Sequence, residues 1–223
     1  MAAPLTLLPY DEDASGPARR PAAPARLLDL AIRAMNHCTG PHKDQAFADL
    51  AAGNVVELGA GGGSNLPWLP AGTRLYAVEP NRALHASLRA RCDRAGIEAV
   101  VLPVSAERLP LPDACVDEVI CSLALCTIPD AEAALAEVAR VLRPSGQFRF
   151  VEHVAAPAGS LRGRAQGALR RPWGAIAGGC DPHRDTLARI EAVGFAEVHA
   201  VRGLLRHSPA WPVNTAVWGW AVR

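Results

Sequence analysis

Hydrophobic and polar positions alternate between two periods along this chain. Leu27, Leu28, Leu30, Ala31, Ala34 and Met35 recur at helical spacing, which predicts a helix over 25–38 and a second, short one over 42–51. Then come short apolar runs typical of buried strands: 54–58, 74–78, 98–102, 117–121 and 147–151. Helical patterns separate some of them, one through Leu84, Leu88 and Cys92 and another over 131–142. Strand and helix alternating at this pitch predict a doubly wound α/β fold of mostly parallel strands joined by crossover helices. Residues 158–181 carry Gly, Ala and Arg without a clean period. Beyond them, 186–193 reads as a helix closed by Gly194, and 195–201 and 213–222 read as strands. The connection over 203–212 is too short for a helical crossover, so this last pair is expected to be an antiparallel hairpin.

The first 24 residues hold prolines at 4, 9, 17, 21 and 24 and an acidic trio at 11–13, and are expected to form an irregular or disordered arm. A chain of 223 residues, half of them hydrophobic, has material for one domain, over 25–223, with 25–52 as an N-terminal helical cover. The balance of 23 basic and 22 acidic residues argues against a nucleic-acid partner, which needs a basic surface. No apolar run approaches the ~18–20 residues that span a bilayer, and the opening segment lacks the basic and apolar regions of a leader. The six cysteines form no C-x-x-C pair and no zinc-type spacing, so the expectations are a reducing cytoplasm and no metal.

The sharpest local signal is Val55-Val-Glu-Leu-Gly-Ala-Gly-Gly-Gly-Ser-Asn65, a strand running into four glycines. Glycine tolerates positive φ and lets a ligand press against backbone N–H groups. In an α/β sheet such a loop lies at the carboxyl end of the first strand, where ligands bind. Ser64 breaks the dinucleotide pattern G-x-G-x-x-G. Glu79 closes the second strand, where a carboxylate can accept hydrogen bonds from both hydroxyls of a ribose. A nicotinamide oxidoreductase also lacks a Tyr-x-x-x-Lys pair here, since Lys43 is the only lysine.

Glu57-Leu-Gly-Ala-Gly-Gly-Gly63 followed by Glu79 resembles the S-adenosylmethionine site of class I methyltransferases. The segments 105–113, 117–125 and Leu142-Arg-Pro-Ser-Gly146 continue the resemblance in order, although the family usually has glycine where Ser145 stands. It implies a Rossmann-like, seven-stranded, mostly parallel sheet with an antiparallel last strand. It also implies that Glu57, Gly59, Ala60, Gly61, Gly63 and Asn65 meet the methionine end of the donor. Glu79, Pro80 and Asn81 would meet the ribose, Ala106 and Glu107 the adenine, and Cys121 and Ser122 would flank the methionine portion.

Downstream, Phe150-Val-Glu-His-Val154, Arg171-Pro-Trp173 and Gly179-Cys180-x-x-x-Arg184-Asp-Thr186 resemble the methyltransferase-like family whose animal members are alkyl-thiol S-methyltransferases. Those animal proteins begin with a hydrophobic membrane anchor, and none is expected here. The resemblance extends more broadly to ubiquinone and menaquinone C-methyltransferases. It implies a small apolar acceptor, a thiol in preference to a quinone-type carbon, with a non-catalytic donor-binding module as the remaining alternative.

Methyl transfer from a sulfonium needs alignment and exclusion of water more than catalytic groups. A thiol of ordinary pKa already supplies some thiolate at neutral pH. His153 is the first candidate for a base, or for a positioning residue, with Asp181 and His183 second. Met35 and His37 on the cover helix, Cys126, Cys180, and Trp173 and Trp211 in loop-like segments are candidate walls of an apolar acceptor pocket.

Overall fold

The computed structural model describes residues 3–11 and 25–223; residues 12–24 of the expected arm lie outside the described residues. Seven strands form one sheet: β1 (Asn54–Leu58), β2 (Arg74–Val78), β3 (Glu98–Leu102), β4 (Val116–Ser122), β5 (Leu142–His153), β6 (Glu197–Leu204) and β7 (Thr215–Val222). Their order is β3-β2-β1-β4-β5-β7-β6. The pairs β2–β3, β1–β2, β1–β4 and β4–β5 are parallel, whereas β7 runs antiparallel to both β5 and β6. The predicted closing hairpin is present, and the sheet has the expected mixed character.

Every residue of β1 and β2 is buried, the polar Asn54, Glu57 and Arg74 included, as central strands covered on both faces require. One face carries Val56, Leu58, Tyr76, Val119, Phe148 and Phe150 under α3 (Ala131–Val141) and α5 (Thr186–Ala192). The other carries Val55, Leu75, Ala77, Ile120, Val151 and Trp218 under α2 (His85–Ala95) and the second half of α1 (Ala25–Ala46). Residues 3–11 form no helix or strand, yet Leu5, Leu7 and Tyr10 pack on the first of these faces. Leu5 donates its amide N–H to the Tyr76 hydroxyl at 2.7 Å.

Two expectations are corrected. In place of two helices over 25–38 and 42–51, one helix of 22 residues, Ala25–Ala46, continues through Pro41 and ends short of 51. Thr39, His42, Lys43 and Ala46 are buried, and this packing of the second half outweighs the local helix-breaking preference of Gly40-Pro41. Residues 161–176, which lack a clean hydrophobic period, form helix α4 (Leu161–Ile176). Its buried positions are Gly163 and Gln166, so its anchor is polar and escapes a hydrophobicity pattern. Gln166 accepts the Ala156 amide at 2.7 Å and donates to the Val154 carbonyl, and Ser160 caps the helix through the Gly163 N–H.

The strand order reverses between β1 and β4, whose ends lie side by side with Leu58 opposite Cys121. In open α/β sheets this switch point opens the crevice where ligands bind.

Candidate active site

The loop leaving β1 turns through Gly59, Gly61 and Gly63, with φ of +66°, +55° and +83°, a region that favours glycine. A β-carbon on Gly59 would lie 2.6 Å from the Ala124 side chain. On Gly62 it would lie 2.8 Å from Ile32 of α1, which packs over the loop. At Gly61, by contrast, nothing lies closer than 3.9 Å, so this glycine faces the open side of the crevice.

Two carboxylates frame the loop. Glu79 accepts the Gly61 N–H at 2.8 Å on one oxygen and the Asn81 N–H at 2.7 Å on the other. Burial raises its pKa, and the Asn81 and Gly61 amides oppose that shift. Asn81 also caps the following turn through the Ala83 N–H, and Pro80 is exposed beside it. Glu57 is fully buried; one oxygen accepts from the Asn65 side chain at 2.8 Å, and the other has no partner. Burial pushes its pKa up to about 7 against the hydrogen bond from Asn65 and the charge of Lys43. Asn65 Oδ1 and Ser122 Oγ are likewise buried without partners. Unsatisfied polar atoms beside a glycine cradle fit a polar ligand such as the amino-acid end of S-adenosylmethionine.

Lys43, set aside by sequence reasoning as a solitary lysine, is 0% exposed. Its ammonium donates to Asn36 at 2.9 Å and approaches the Ser64 carbonyl of the glycine loop. It also sits 4.8 Å from the centre of the Trp68 ring. Burial pulls its pKa down to about 8, opposed by Glu57. Only the helix running past the loop creates this arrangement, so no linear signal could have disclosed it.

At the end of β4, Cys121 points its thiol at Glu152, 3.2 Å away. Glu152 is buried and accepts the N–H groups of Ala124, Leu125 and Cys126. It thereby fixes the loop after β4, whose Leu123 adopts φ +56°. Burial raises its pKa against those amides. Arg184 clamps the same loop from outside, donating to the carbonyls of Leu125 and Ile128 at 2.6 Å each. Ala106 is buried in the core, and Glu107 accepts from Ser105 and the Asp130 N–H.

Three of the proposed acceptor residues converge. The Cys180 sulfur lies 3.3 Å from that of Cys126 and 3.5 Å from His153 Nδ1. The hydrogen bond from Cys126 lowers the Cys180 pKa to about 5 against its burial, and His153 adds to the effect. The hydrogen bond with Cys180, together with burial, pushes Cys126 well above the usual thiol range. Trp173 lies on α4, not in a loop, and its buried indole N–H is directed at the Cys180 sulfur, adding to the lowering of that thiol.

The remaining candidates do not share this contact. Asp181 pairs with Arg170 at 2.6 Å and accepts the His183 N–H, while the exposed His183 ring packs beside Gly167. These contacts join α4 to the following loop and pair the Asp181 carboxylate with a cation. Met35 and His37 are exposed on α1, with His37 stacked on His207, and no hydrogen bond or ring contact joins them to the cysteine pair. Trp211 is 56% exposed.

A sheet of this order, with a glycine loop after β1 and a carboxylate closing β2, defines a nucleoside-type ligand site of the methyltransferase class. Residues 56–150 match the family model described as a methyltransferase domain. Human thiol S-methyltransferase TMT1A is 31% identical over 177 residues, covering 76% of this chain and 70% of that protein. The ubiquinone/menaquinone biosynthesis C-methyltransferase UbiE of Acidiphilium cryptum is 36% identical over 115 residues, covering 50% of this chain and 43% of that one. In fold, a crystal structure of an S-adenosylmethionine-dependent methyltransferase from Thermotoga maritima superimposes with a TM-score of 0.64 at 19% identity, covering 89% of this chain and 97% of that one. The chain belongs to the class I S-adenosylmethionine-dependent methyltransferases, in the family that contains TMT1A. Among the described residues no helix is long and apolar enough to cross a membrane.

Proposed function

We propose that this methyltransferase moves the methyl group of S-adenosylmethionine to the sulfur of a small apolar thiol by direct in-line displacement. The observation that carries the acceptor is the similarity to human thiol S-methyltransferase TMT1A over 70% of that protein's length. The chemistry of the site supports it. The carboxylate nearest the end of β5, Glu152, is committed to three backbone amides, and residues 122–125 bring no carboxylate or amide side chain of their own. An acceptor that ionises near neutral pH suits such a site better than an amine or alcohol.

In this reading the catalytic domain is residues 25–223, with 25–52 as its helical cover. Gly59, Ala60, Gly61 and Gly63 receive the methionine end of the donor. The unpartnered oxygen of Glu57 and the side chain of Asn65 face its ammonium group. Glu79, with Pro80 and Asn81, holds the ribose, Ala106 and Glu107 border the adenine, and Cys121 and Ser122 line the wall beside the methyl group. Cys126, His153, Cys180 and Trp173 form the acceptor side. The donor supplies an activated methyl on a sulfonium; the chain aligns the two sulfurs and excludes water.

The test is release of S-adenosylhomocysteine from the purified protein with small apolar thiols, matched alcohols and reduced quinones. Thiol-dependent release that disappears in Glu79→Ala supports the reading. Release with the quinone acceptors alone replaces the thiol by a carbon acceptor. Donor binding without release for any of them leaves a silent donor-binding module.

A further inference from the structure

Cys126, His153 and Cys180 are set by three separate segments: the loop after β4, the end of β5 and the loop after α4. They are far apart in sequence, with 54 positions between the two cysteines and 27 between His153 and Cys180. That separation is why no ligand spacing shows in the sequence. In space their two sulfurs and one ring nitrogen all lie within 4.8 Å of one another. The sulfur–sulfur distance of 3.3 Å and the sulfur–nitrogen distance of 3.5 Å are the relevant dimensions. A tetrahedral zinc ion with bonds of about 2.3 Å to sulfur and about 2.0 Å to nitrogen holds two sulfurs about 3.8 Å apart and a sulfur and a nitrogen about 3.5 Å apart. The Cys180–His153 pair already has this spacing, and the two sulfurs reach it by opening about 0.5 Å.

The backbone holds them there. The Asp181 N–H donates to the Cys126 carbonyl at 2.8 Å, joining the two cysteine loops directly. The Cys126 N–H is held by Glu152, and Thr186 bonds the His153 carbonyl. Cys126 and Cys180 are 1% and 5% exposed while His153 is half-buried, so the two sulfurs are shielded from water and the imidazole lies on the accessible side. Two sulfurs and an imidazole are a soft set that selects zinc-type ions over magnesium or calcium.

We propose that Cys126, His153 and Cys180 bind one zinc-type cation, whose fourth coordination position takes the sulfur of the methyl acceptor. The cation site stands on these three residues alone; the fourth ligand rests on the thiol reading given above. Three protein ligands with one open position are the pattern of catalytic rather than structural zinc. A thiol that coordinates such an ion loses its proton, here to solvent, and stays a thiolate at neutral pH. Its sulfur lone pair then forms the new carbon–sulfur bond to the donor methyl. The bond from that methyl to the sulfonium breaks, and its electron pair remains on the sulfur of S-adenosylhomocysteine. The neutral thioether product is a weak ligand and leaves.

The experiment uses the full chain, reduced and stripped with a chelator, and titrates it with cadmium ion as the probe. One equivalent is expected to bind with a sulfur-to-cadmium charge-transfer band, and zinc should displace it. Cys126→Ser and Cys180→Ser should each weaken binding at least tenfold, with thermal unfolding showing that the variants are folded. Cadmium-113 resonance of the unmodified protein gives the sulfur count without any variant, and two is expected. No band, a sulfur count other than two, or equal binding by the Cys126→Ser/Cys180→Ser double variant overturns the cation site. With cobalt in place of cadmium, an apolar thiol should shift the visible bands and the matched alcohol should not. Bands indifferent to the thiol overturn the fourth-ligand assignment. Intact cadmium binding without thiol turnover would reject the thiol reading and not the cation site.

Discussion

Glu152, the penultimate residue of β5, accepts the Ala124 amide at 2.9 Å and so ties the end of one central strand to the loop that follows its neighbour. With Leu125 and Cys126 sharing the same carboxylate, Glu152→Gln replaces an acceptor-only group by one that turns an N–H toward amide donors. We expect a loss of about 2–3 kcal/mol in urea unfolding, the cost of disrupting charge-assisted buried hydrogen bonds. Turnover should fall as well, because the loop carries Cys126.

Glu57 has a buried oxygen with no partner and a pKa of about 7. If that oxygen receives the ammonium group of the donor, the ionised form binds best. Affinity should therefore rise as the pH increases through about 7 and level off above it. Glu57→Gln keeps the bond from Asn65 but removes the charge. It should weaken donor binding about tenfold or more, the worth of a hydrogen bond to a charged group, and flatten the pH profile. Calorimetric titration at several pH values checks both.

Lys43 carries a second pH signature. Its folded-state pKa of about 8 lies below the ordinary 10.5, so between these values the unfolded chain holds a proton that the folded chain does not. The unfolding free energy then rises with pH in that window. Relative to Lys43→Met, the stability of the unsubstituted protein should increase as pH goes from about 8 to about 10.5. Paired urea midpoints across the window measure this difference.

Ser145 occupies the turn within β5 with φ +63°, a conformation that costs a residue bearing a β-carbon about 1 kcal/mol or more. Its side chain is exposed. Ser145→Gly should stabilise the protein by up to about 1 kcal/mol, after the greater chain entropy of glycine is counted. That corresponds to a rise of roughly 2–4 °C in Tm for a chain of this size, with turnover unchanged.

Much of this molecule can be read from its residues, and the divisions follow the physics. The spans 74–78 and 98–102 coincide with β2 and β3 because four apolar residues in a row, following one charged residue and bounded by turn residues, leave a strand as the main option. Glycines 59, 61 and 63 are legible because positive φ restricts the residue type. Helix α4 is not, since Gly163 and Gln166 anchor it instead of an apolar stripe. Nor is the continuity of α1 through Pro41, which depends on the surface it meets. The cysteine–histidine group and the burial of Lys43 depend on contacts between distant segments, which no local pattern encodes.

Helix α1 is seated by the far end of the chain. Gln45 accepts the Trp218 indole N–H across 173 positions, and His42 receives the Arg206 amide N–H. During synthesis at ~5–20 residues per second, the berth of the helix is therefore missing for roughly 10–35 s after the helix has emerged. Through that interval the nascent protein carries an unsatisfied apolar helix over an unfinished sheet, and the same helix closes over the glycine loop at Gly62. Docking of the last strand is thus also what completes the wall of the donor site.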